Sequence, residues 1–376
     1  MSHSIRIQSS DENHVRYVAV TENGDYMSGG TLSLRTVHFA GKPIPCGIVG
    51  GVGTEPEHRR GGLVREIFTE MAAECHRRAL PLTILHPFSF AYYRTFGFER
   101  IADHRVLEFP ITALNFVPRY PDLIHCTGEA CNEELAQVYN AFASDGRHLL
   151  FARGPHSFPT NQPAKKVYLS RDADGNPDGY VILEIENYFS VNRMVSVNLH
   201  VHELIALTDT AMDKLFGFLR MFEGEMETVK MENIAMIPEV ELRLRHYMHT
   251  SITLLPDIMA RINDIQLFFA SVPYPEEAGS FTFRTYEPPR SPWSGKSTNG
   301  TWRVDYVNGI GTVTPLPDGA PCDFTADIPA LTQLVFGYDA YGPAFARHTH
   351  GTEWYTDAPD FFRAFPRRPA GIFEHF

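Results

Sequence analysis

The residues best placed to do chemistry lie in one run, Val52-Gly53-Thr54-Glu55-Pro56-Glu57-His58-Arg59-Arg60-Gly61-Gly62-Leu63-Val64-Arg65. An apolar strand ends there in a basic turn with two glycines, and the turn opens directly into a helix. The first N–H groups of a helix have no partner within it, and the aligned peptide dipoles leave partial positive charge at that end. Such a turn therefore binds phosphate. Gly61 and Gly62 let the backbone approach an anion closely, while Arg59, Arg60 and Arg65 add formal charge. Two other phosphate loops are excluded: no G-x-x-x-x-G-K-[ST] run occurs, and Gly51-Val52-Gly53 lacks the third glycine of a dinucleotide fingerprint. The same spacing also suits an ordinary strand–turn–helix connection, so the surrounding charge has to decide between them.

That charge is acidic. Lys and Arg number 33 against 45 Asp and Glu, a net charge of −12 with His neutral. A surplus of acid repels nucleic acid and anionic membranes and attracts cations. A cluster of three arginines is an exception in such a chain, which favours the anion-binding reading. Length and composition (376 residues, 43% hydrophobic, 21% charged) describe a soluble globular protein of two or three domains. No apolar run is long enough to span a bilayer, and the N-terminus has no signal core. The five cysteines form no CxxC pair, so neither a disulfide framework nor a cysteine zinc site is indicated, and a cytoplasmic location is expected.

The elements that must position the motif follow from periodicity. Leu63, Val64, Ile67, Phe68, Met71, Ala72 and Cys75 share one face of a helix, with Arg65, Glu66, Thr69, Glu70, Glu74 and Arg77 on the other. Strands are predicted at 16–20, 31–37, 48–54 and 82–85, with a turn at Asn23-Gly24-Asp25. A strand–helix–strand unit places a ligand at the carboxyl ends of its strands. The alternation repeats after Pro110, with helices predicted at 132–145 and 211–221 and strands at 179–186 and 194–207. Residues 286–300 read as a loop, followed by a strand at 301–307 and a helix at 328–336.

The C-terminus is unusual. Phe361, Phe362, Phe365, Phe373 and Phe376 fall within the last sixteen positions, and a tail so aromatic is cheaper to bury than to solvate. It either anchors the last helix or places the terminal carboxylate of Phe376. The pairs His200/His202 and His348/His350 have H-x-H spacing but no evident third ligand, and Asp172–Asn176 reads as a turn rather than a calcium loop.

These residues resemble motif A of the GCN5-related N-acetyltransferases, here Arg59-Arg60-Gly61-Gly62-Leu63-Val64, and within that superfamily the Eis (enhanced intracellular survival) acetyltransferases. The likeness rests on the run from His58 to Arg65, on Leu85-His86, on Tyr92-Tyr93-Arg94-Thr95-Phe96-Gly97-Phe98, and on a chain that ends on Phe. Gly179-Tyr180-Val181 and His202-Glu203-Leu204 resemble a second acetyltransferase-like region. The stretches from Met259 to Asp264 and from Leu331 to Tyr338 resemble a sterol-carrier-like domain. The fold implied is α/β followed by α+β: two fused acetyltransferase-like units over 1–109 and 110–265, then a sterol-carrier-protein-like domain over 266–376.

The resemblance also implies the chemistry. Val52, Gly53 and Thr54 would pair their backbone with the pantetheine arm of acetyl-CoA. Arg59, Arg60, Gly61, Gly62, Leu63, Val64 and Arg65 would cradle its pyrophosphate, with Phe88 and Ser89 beside the donor. Tyr93 would be the general acid and the Phe376 carboxylate the general base, with His86 or Glu99 next in line. The activity implied is acetyl-CoA-dependent N-acetylation of a cationic amine, such as an aminoglycoside or polyamine-like compound, by a homo-oligomer, with a hexamer among the assemblies suggested. No metal, nucleic acid or membrane is expected. An alternative of another class is a non-catalytic CoA- or lipid-binding protein. Two departures bear on the site. Val64 stands where Gly or Ala is usual and is expected to crowd the turn. Only residues 9–14 separate the first two strands, too few for the helices that wall the family's acceptor pocket, so that pocket is expected to be more open, or walled by another segment, or the chain to be amino-terminally short.

Overall fold

The computed structural model describes residues 3–189, 195–245, 248–289, 291–293, 295, 297–338 and 347–374. The chain groups into two compact units, residues 1–102 with 257–368 and residues 103–256 with 369–375.

In the first unit, β1 (His3–Ser10), β2 (His14–Thr21), β3 (Tyr26–Phe39) and β4 (Lys42–Thr54) form an antiparallel meander. The expected strands and the turn around Gly24, at φ +90°, are present. Helix α1 (Leu63–Arg77) carries the chain over to β5 (Leu82–Leu85), which pairs parallel with β4 from Cys46↔Leu82 to Val49↔Leu85. A short helix, α2 (Phe90–Arg94), follows. The apolar stripe predicted for α1 is what packs: Leu63, Ile67, Phe68, Met71, Ala72 and Cys75 are buried with Leu32, Val49, Leu85, Tyr93, Phe96 and Phe98. The chain passes from β1 to β2 by a tight connection with no helix, as the short spacing of those strands requires.

The second unit repeats the plan. Its elements are β6 (Glu99–Pro110), β7 (Ile124–Cys126), α3 (Asn132–Ala143), β8 (Lys166–Arg171), β9 (Pro177–Phe189), β10 (Val195–Ala206), α4 (Asp209–Leu219), β11 (Thr228–Met231) and α5 (Pro238–Arg243). Strand β10 pairs antiparallel with β9 and parallel with β11, and α4 joins the parallel pair as α1 joins β4 to β5. The Asp172–Asn176 stretch is the hairpin turn between β8 and β9, with the Asp172 carboxylate accepting the N–H groups of Asp174 and Asn176.

The expected boundaries near 110 and 265 differ from the observed grouping, which changes at Ala102/Asp103 and Pro256/Asp257. The cause is two long strands. β6 starts in the first unit and ends paired with β11 in the second, while β12 (Ser251–Ile262) starts in the second and ends paired antiparallel with β5 through Met259–Leu85 and Ile262–Leu82. Beyond β12 come α6 (Ile265–Ser271) and a mixed sheet of β13 (Gly279–Tyr286), β14 (Gly300–Val307), β15 (Ile310–Leu316), β16 (Phe324–Asp327) and β17 (Thr352–Trp354), with α7 (Ile328–Val335) and α8 (Pro359–Ala364). This part belongs to the first unit. Phe39 of β3 meets Phe268, Phe336 and Phe365 edge-on at 5.3, 5.1 and 6.4 Å, and Asn263 donates its side-chain N–H to the Leu80 carbonyl and the Thr83 hydroxyl.

Candidate active site

The site begins with a parting of strands. β4 and β5 stop pairing at Val49 and Leu85, yet β4 runs on to Thr54 alongside β3. Thr31 lies opposite Gly50 and Gly29 opposite Gly53, so Gly51 and Val52 together face the single residue Gly30. This is a β-bulge, and Gly51 supplies the left-handed conformation it needs, at φ +59°. A bulge bends its strand, so β4 leaves β5 here and its last residues, Val52, Gly53 and Thr54, turn toward the head of α1. Ser28 fixes that end by bonding its hydroxyl to the Gly53 carbonyl and the Thr54 hydroxyl, both at 2.8 Å.

Helix α1 starts without a side-chain cap. Gly62 is the N-cap at φ +89°, a conformation that would strain any residue with a Cβ, and a Cβ at Gly53 or Gly62 would meet nothing within 4 Å. The backbone is thus open toward a ligand at two points. Arg60 before it is also left-handed, at φ +65°. The Arg59 Nε donates to the Thr54 carbonyl at 3.3 Å, and the Arg65 guanidinium lies 5.7 Å from the centre of the Phe96 ring. Val64 does not crowd the turn. It occupies the first turn of α1 itself and packs, half-buried, on the apolar core.

These elements enclose a cleft of about 640 Å³ lined by Val52, Gly53, Thr54, His58, Arg59, Arg60, Gly61, Gly62, Leu63, Val64, Arg65, Phe88, Tyr92, Thr95 and Phe96. All the residues singled out in the sequence for the cofactor line it except Ser89. Ser89 is instead the cap of α2, its hydroxyl accepting the Tyr92 N–H at 3.3 Å. His58, Tyr92, Thr95 and Phe96 were not singled out as site residues. The sequence signal for them was membership of the runs that carry the resemblance, His58 in the motif and Tyr92, Thr95 and Phe96 in the aromatic run.

Tyr93 sits behind the cleft wall, 3% exposed, with Phe88, Tyr92, Phe68 and Phe98 at 5.2, 5.4, 6.2 and 6.3 Å. Burial, reinforced by Tyr92, pushes its phenol well above the usual value. It therefore keeps its proton throughout the neutral range. Its carbonyl accepts the N–H groups of Phe96 and Phe98, and the buried Arg261 guanidinium, paired with Glu287 at 2.7 Å, donates to the Phe96 carbonyl at 2.8 Å. The turn carrying Tyr93 is thereby fixed from below. Of the two reserve bases, His86 holds its Nδ1 2.8 Å from an Asp257 oxygen, whereas Glu99 spends both oxygens on Arg94 at 2.7 and 2.8 Å. Phe376 lies outside the described residues.

The corresponding helix head of the second unit is built to a different end. Thr208 caps α4 by accepting the Ala211 N–H at 3.1 Å, Asp209 occupies the first turn, and Arg243 pairs with both Asp209 and Asp213. A carboxylate and a filled cap repel the anion that the first unit attracts. Of the H-x-H pairs, His200 bonds Glu232 and His202 bonds Glu184, while His348 and His350 are exposed. Among the described residues no group of three His, Cys, Asp or Glu is placed to hold a metal, and no helix is long and apolar enough to cross a membrane.

Known proteins carry the same architecture. Residues 6–101 match the profile of an acetyltransferase (GNAT) domain, and residues 150–262 match a second profile of the same description. A conserved protein of Enterococcus faecalis V583, named as a probable N-acyltransferase, superposes with a TM-score of 0.78 at 22% identity over 97% of this chain and 90% of that one. A GCN5-related N-acetyltransferase from Anabaena variabilis ATCC 29413 gives 0.81 at 18% identity, covering 96% and 89%. Eis1 from Mycobacterium abscessus gives 0.75 at 14%, covering both chains fully. At these identities the likeness to the solved structures is one of fold. No curated protein matches the chain. With two GNAT domains, and an uncapped, arginine-flanked helix head in the first, the chain is an acetyltransferase that takes its acetyl group from acetyl-CoA.

Proposed function

We propose that the chain N-acetylates a cationic amine, of the aminoglycoside or polyamine-like class, at the cleft of the first unit. The observation that carries this reading is the pairing of two features: an open, arginine-flanked helix N-terminus and a β4 edge released from β5 by the bulge at Gly51. The first suits a pyrophosphate and the second a pantetheine amide. The amine half of the reading draws on the acidic net charge of −12 and on the fold shared with a protein named Eis1.

In this reading the backbone of Val52, Gly53 and Thr54 holds the acyl donor, and the amides from Arg59 to Arg65 hold its phosphates. The acceptor amine, once deprotonated, attacks the thioester carbonyl, and the departing sulfur takes a proton from the Tyr93 hydroxyl. The Phe376 carboxylate is the base for the ammonium, acting through water because an α-carboxyl of ordinary pKa about 3.5 is a weak base. Residues 266–376 form a sterol-carrier-like part, and the protein works as a cytoplasmic homo-oligomer. Acetyl-CoA turnover measured over an aminoglycoside, spermidine and a peptide α-amine tests the reading. Acetylation of either of the first two above the peptide supports it, and turnover confined to the peptide overturns it.

A further inference from the structure

Among the described residues the largest fully buried side chain is a charged one. Arg261, the last residue but one of β12, is 0% exposed and lies beneath the turn that follows α2 in the first unit. Burial works against its charge, and the Glu287 carboxylate, itself 7% exposed, offsets part of that by accepting Nη2 at 2.7 Å. A buried pair of this kind is often no more stabilising than apolar side chains of the same volume. What it adds is direction.

Nη1 donates to the Phe96 carbonyl at 2.8 Å and to the Ser291 hydroxyl at 3.3 Å, and Cζ lies 3.9 Å from the centre of the Trp293 ring. Ser291 also accepts the Trp293 N–H at 3.2 Å, and the Thr298 hydroxyl donates to Glu287 at 2.7 Å. The connection between β13 and β14 thus holds the guanidinium from one side, and the guanidinium holds a backbone oxygen of the cleft turn on the other. Gly97 permits the approach: it is left-handed at φ +87°, and a Cβ there would collide with Nη1. Phe96 is the link to the ligand side. Its ring stacks on Phe68 of α1 at 4.8 Å, lines the cleft, and carries the Arg65 guanidinium at 5.7 Å. Trp293 backs the same cluster, edge-on to Phe68 and Phe98 at 6.2 and 5.9 Å.

We propose that Arg261 is a positioning residue for acetyl-CoA: held by Glu287, Ser291 and Trp293, it fixes the Phe96 carbonyl and thereby the ring on which Arg65 rests at the cleft wall. The inference rests on acetyl-CoA occupying that cleft, as proposed above. It makes the β13–β14 connection a working part of the cofactor site, although none of its described residues lines the cleft.

The test is Arg261→Lys in the full-length protein, because lysine keeps a charge beside Glu287 but has no second nitrogen for the Phe96 carbonyl. Ser291→Ala, at a half-buried position, removes one anchor of the arginine and serves if the buried lysine does not fold. Calorimetric titration with acetyl-CoA separates two effects: the fitted stoichiometry reports the folded fraction, and Kd reports the geometry of the site. Arg261→Lys should raise Kd about tenfold, the low end of what one charge-assisted hydrogen bond is worth, with stoichiometry kept. Ser291→Ala should raise it about 2–5-fold. In an Arg65→Ala background the effect of Arg261→Lys should shrink, because both residues act through the Phe96 ring. Lower stoichiometry with an unchanged Kd would make Arg261 a packing residue and overturn the inference. Unchanged affinity in both variants, while Gly61→Asp weakens binding, would overturn it and leave the cleft reading standing. Should Gly61→Asp also bind as tightly as the wild type, the cleft reading falls and this inference with it.

Discussion

Gly51 of β4 stands in the left-handed region directly where Gly30 of β3 is left to face two residues instead of one. That single irregularity separates β4 from β5 and turns the end of β4 toward the head of α1. A methyl group on Gly51 would meet no neighbouring atom closer than 3.6 Å, so space for a side chain exists and only the backbone conformation forbids it. Gly51→Ala should therefore lower stability by about 1 kcal/mol and raise the KM for acetyl-CoA as the bulge relaxes. Gly51→Asn, which tolerates this conformation better, should do less of both. Denaturant melts and steady-state kinetics on the two variants check it.

Arg59 and Arg60 flank the helix head as exposed charges, each worth about 0.3–1 kcal/mol to an anion there. The double change Arg59→Ala with Arg60→Ala should raise the KM for acetyl-CoA about 3–30-fold with kcat nearly unchanged. The wild-type protein should lose affinity with added salt more steeply than the variant, because screening acts on the charges that were removed. A salt series of acetyl-CoA titrations reads both slopes.

Tyr93 packs against five rings, so Tyr93→Phe keeps the packing and removes only the hydroxyl. Turnover should fall about 10²–10⁴-fold, the contribution of a positioned acid, with acetyl-CoA binding retained. Burial raises the phenol's pKa, which keeps it protonated as pH rises. No alkaline loss of kcat from this group is expected below pH about 10. A kcat profile that falls between pH 8 and 9 in the wild type but not in Tyr93→Phe would contradict the raised pKa, whereas full activity in Tyr93→Phe would contradict the assignment of the acid.

How far these features could be read from the chain depended on range. The helix at Leu63–Arg77, its glycine-arginine head and the strands on either side are local patterns, and they stand where periodicity put them. The bulge was not legible, because Gly51 looks like any strand glycine until its pairing with β3 is known. Nor was the contact of His86 with Asp257, 171 residues away, since nothing local announces that β12 returns to pair with β5. Ser89 was placed beside the donor by resemblance. Its spacing to Tyr92 is also that of a helix cap, and the backbone took it for that purpose. Val64 was expected to crowd the turn only because the family pattern has Gly or Ala there, whereas its place on the apolar helix face was already legible from periodicity.

Glu74, near the end of α1, illustrates what holds the helix that carries the site. Burial works against its charge, but hydrogen bonds from Arg77 and Arg78 prevail and hold the carboxyl below its usual value. A depressed folded-state value means stability that is present above the unfolded pKa of about 4.3 and lost as pH falls through the folded one. Glu74→Gln should therefore lower Tm at pH 7, with the difference from wild type shrinking below pH 4. Thermal melts between pH 3 and 7 measure it.

The proposed function stands or falls on acetyl-CoA binding at the uncapped head of α1 and not at the capped head of α4. Calorimetric titration of acetyl-CoA into the wild-type chain and into Gly61→Asp decides it, because that change sets a carboxylate in the cradle. One acetyl-CoA per chain is expected for the wild type, with affinity weaker by about tenfold or more for the variant. Two sites per chain, or a variant that binds as tightly as the wild type, would contradict the assignment.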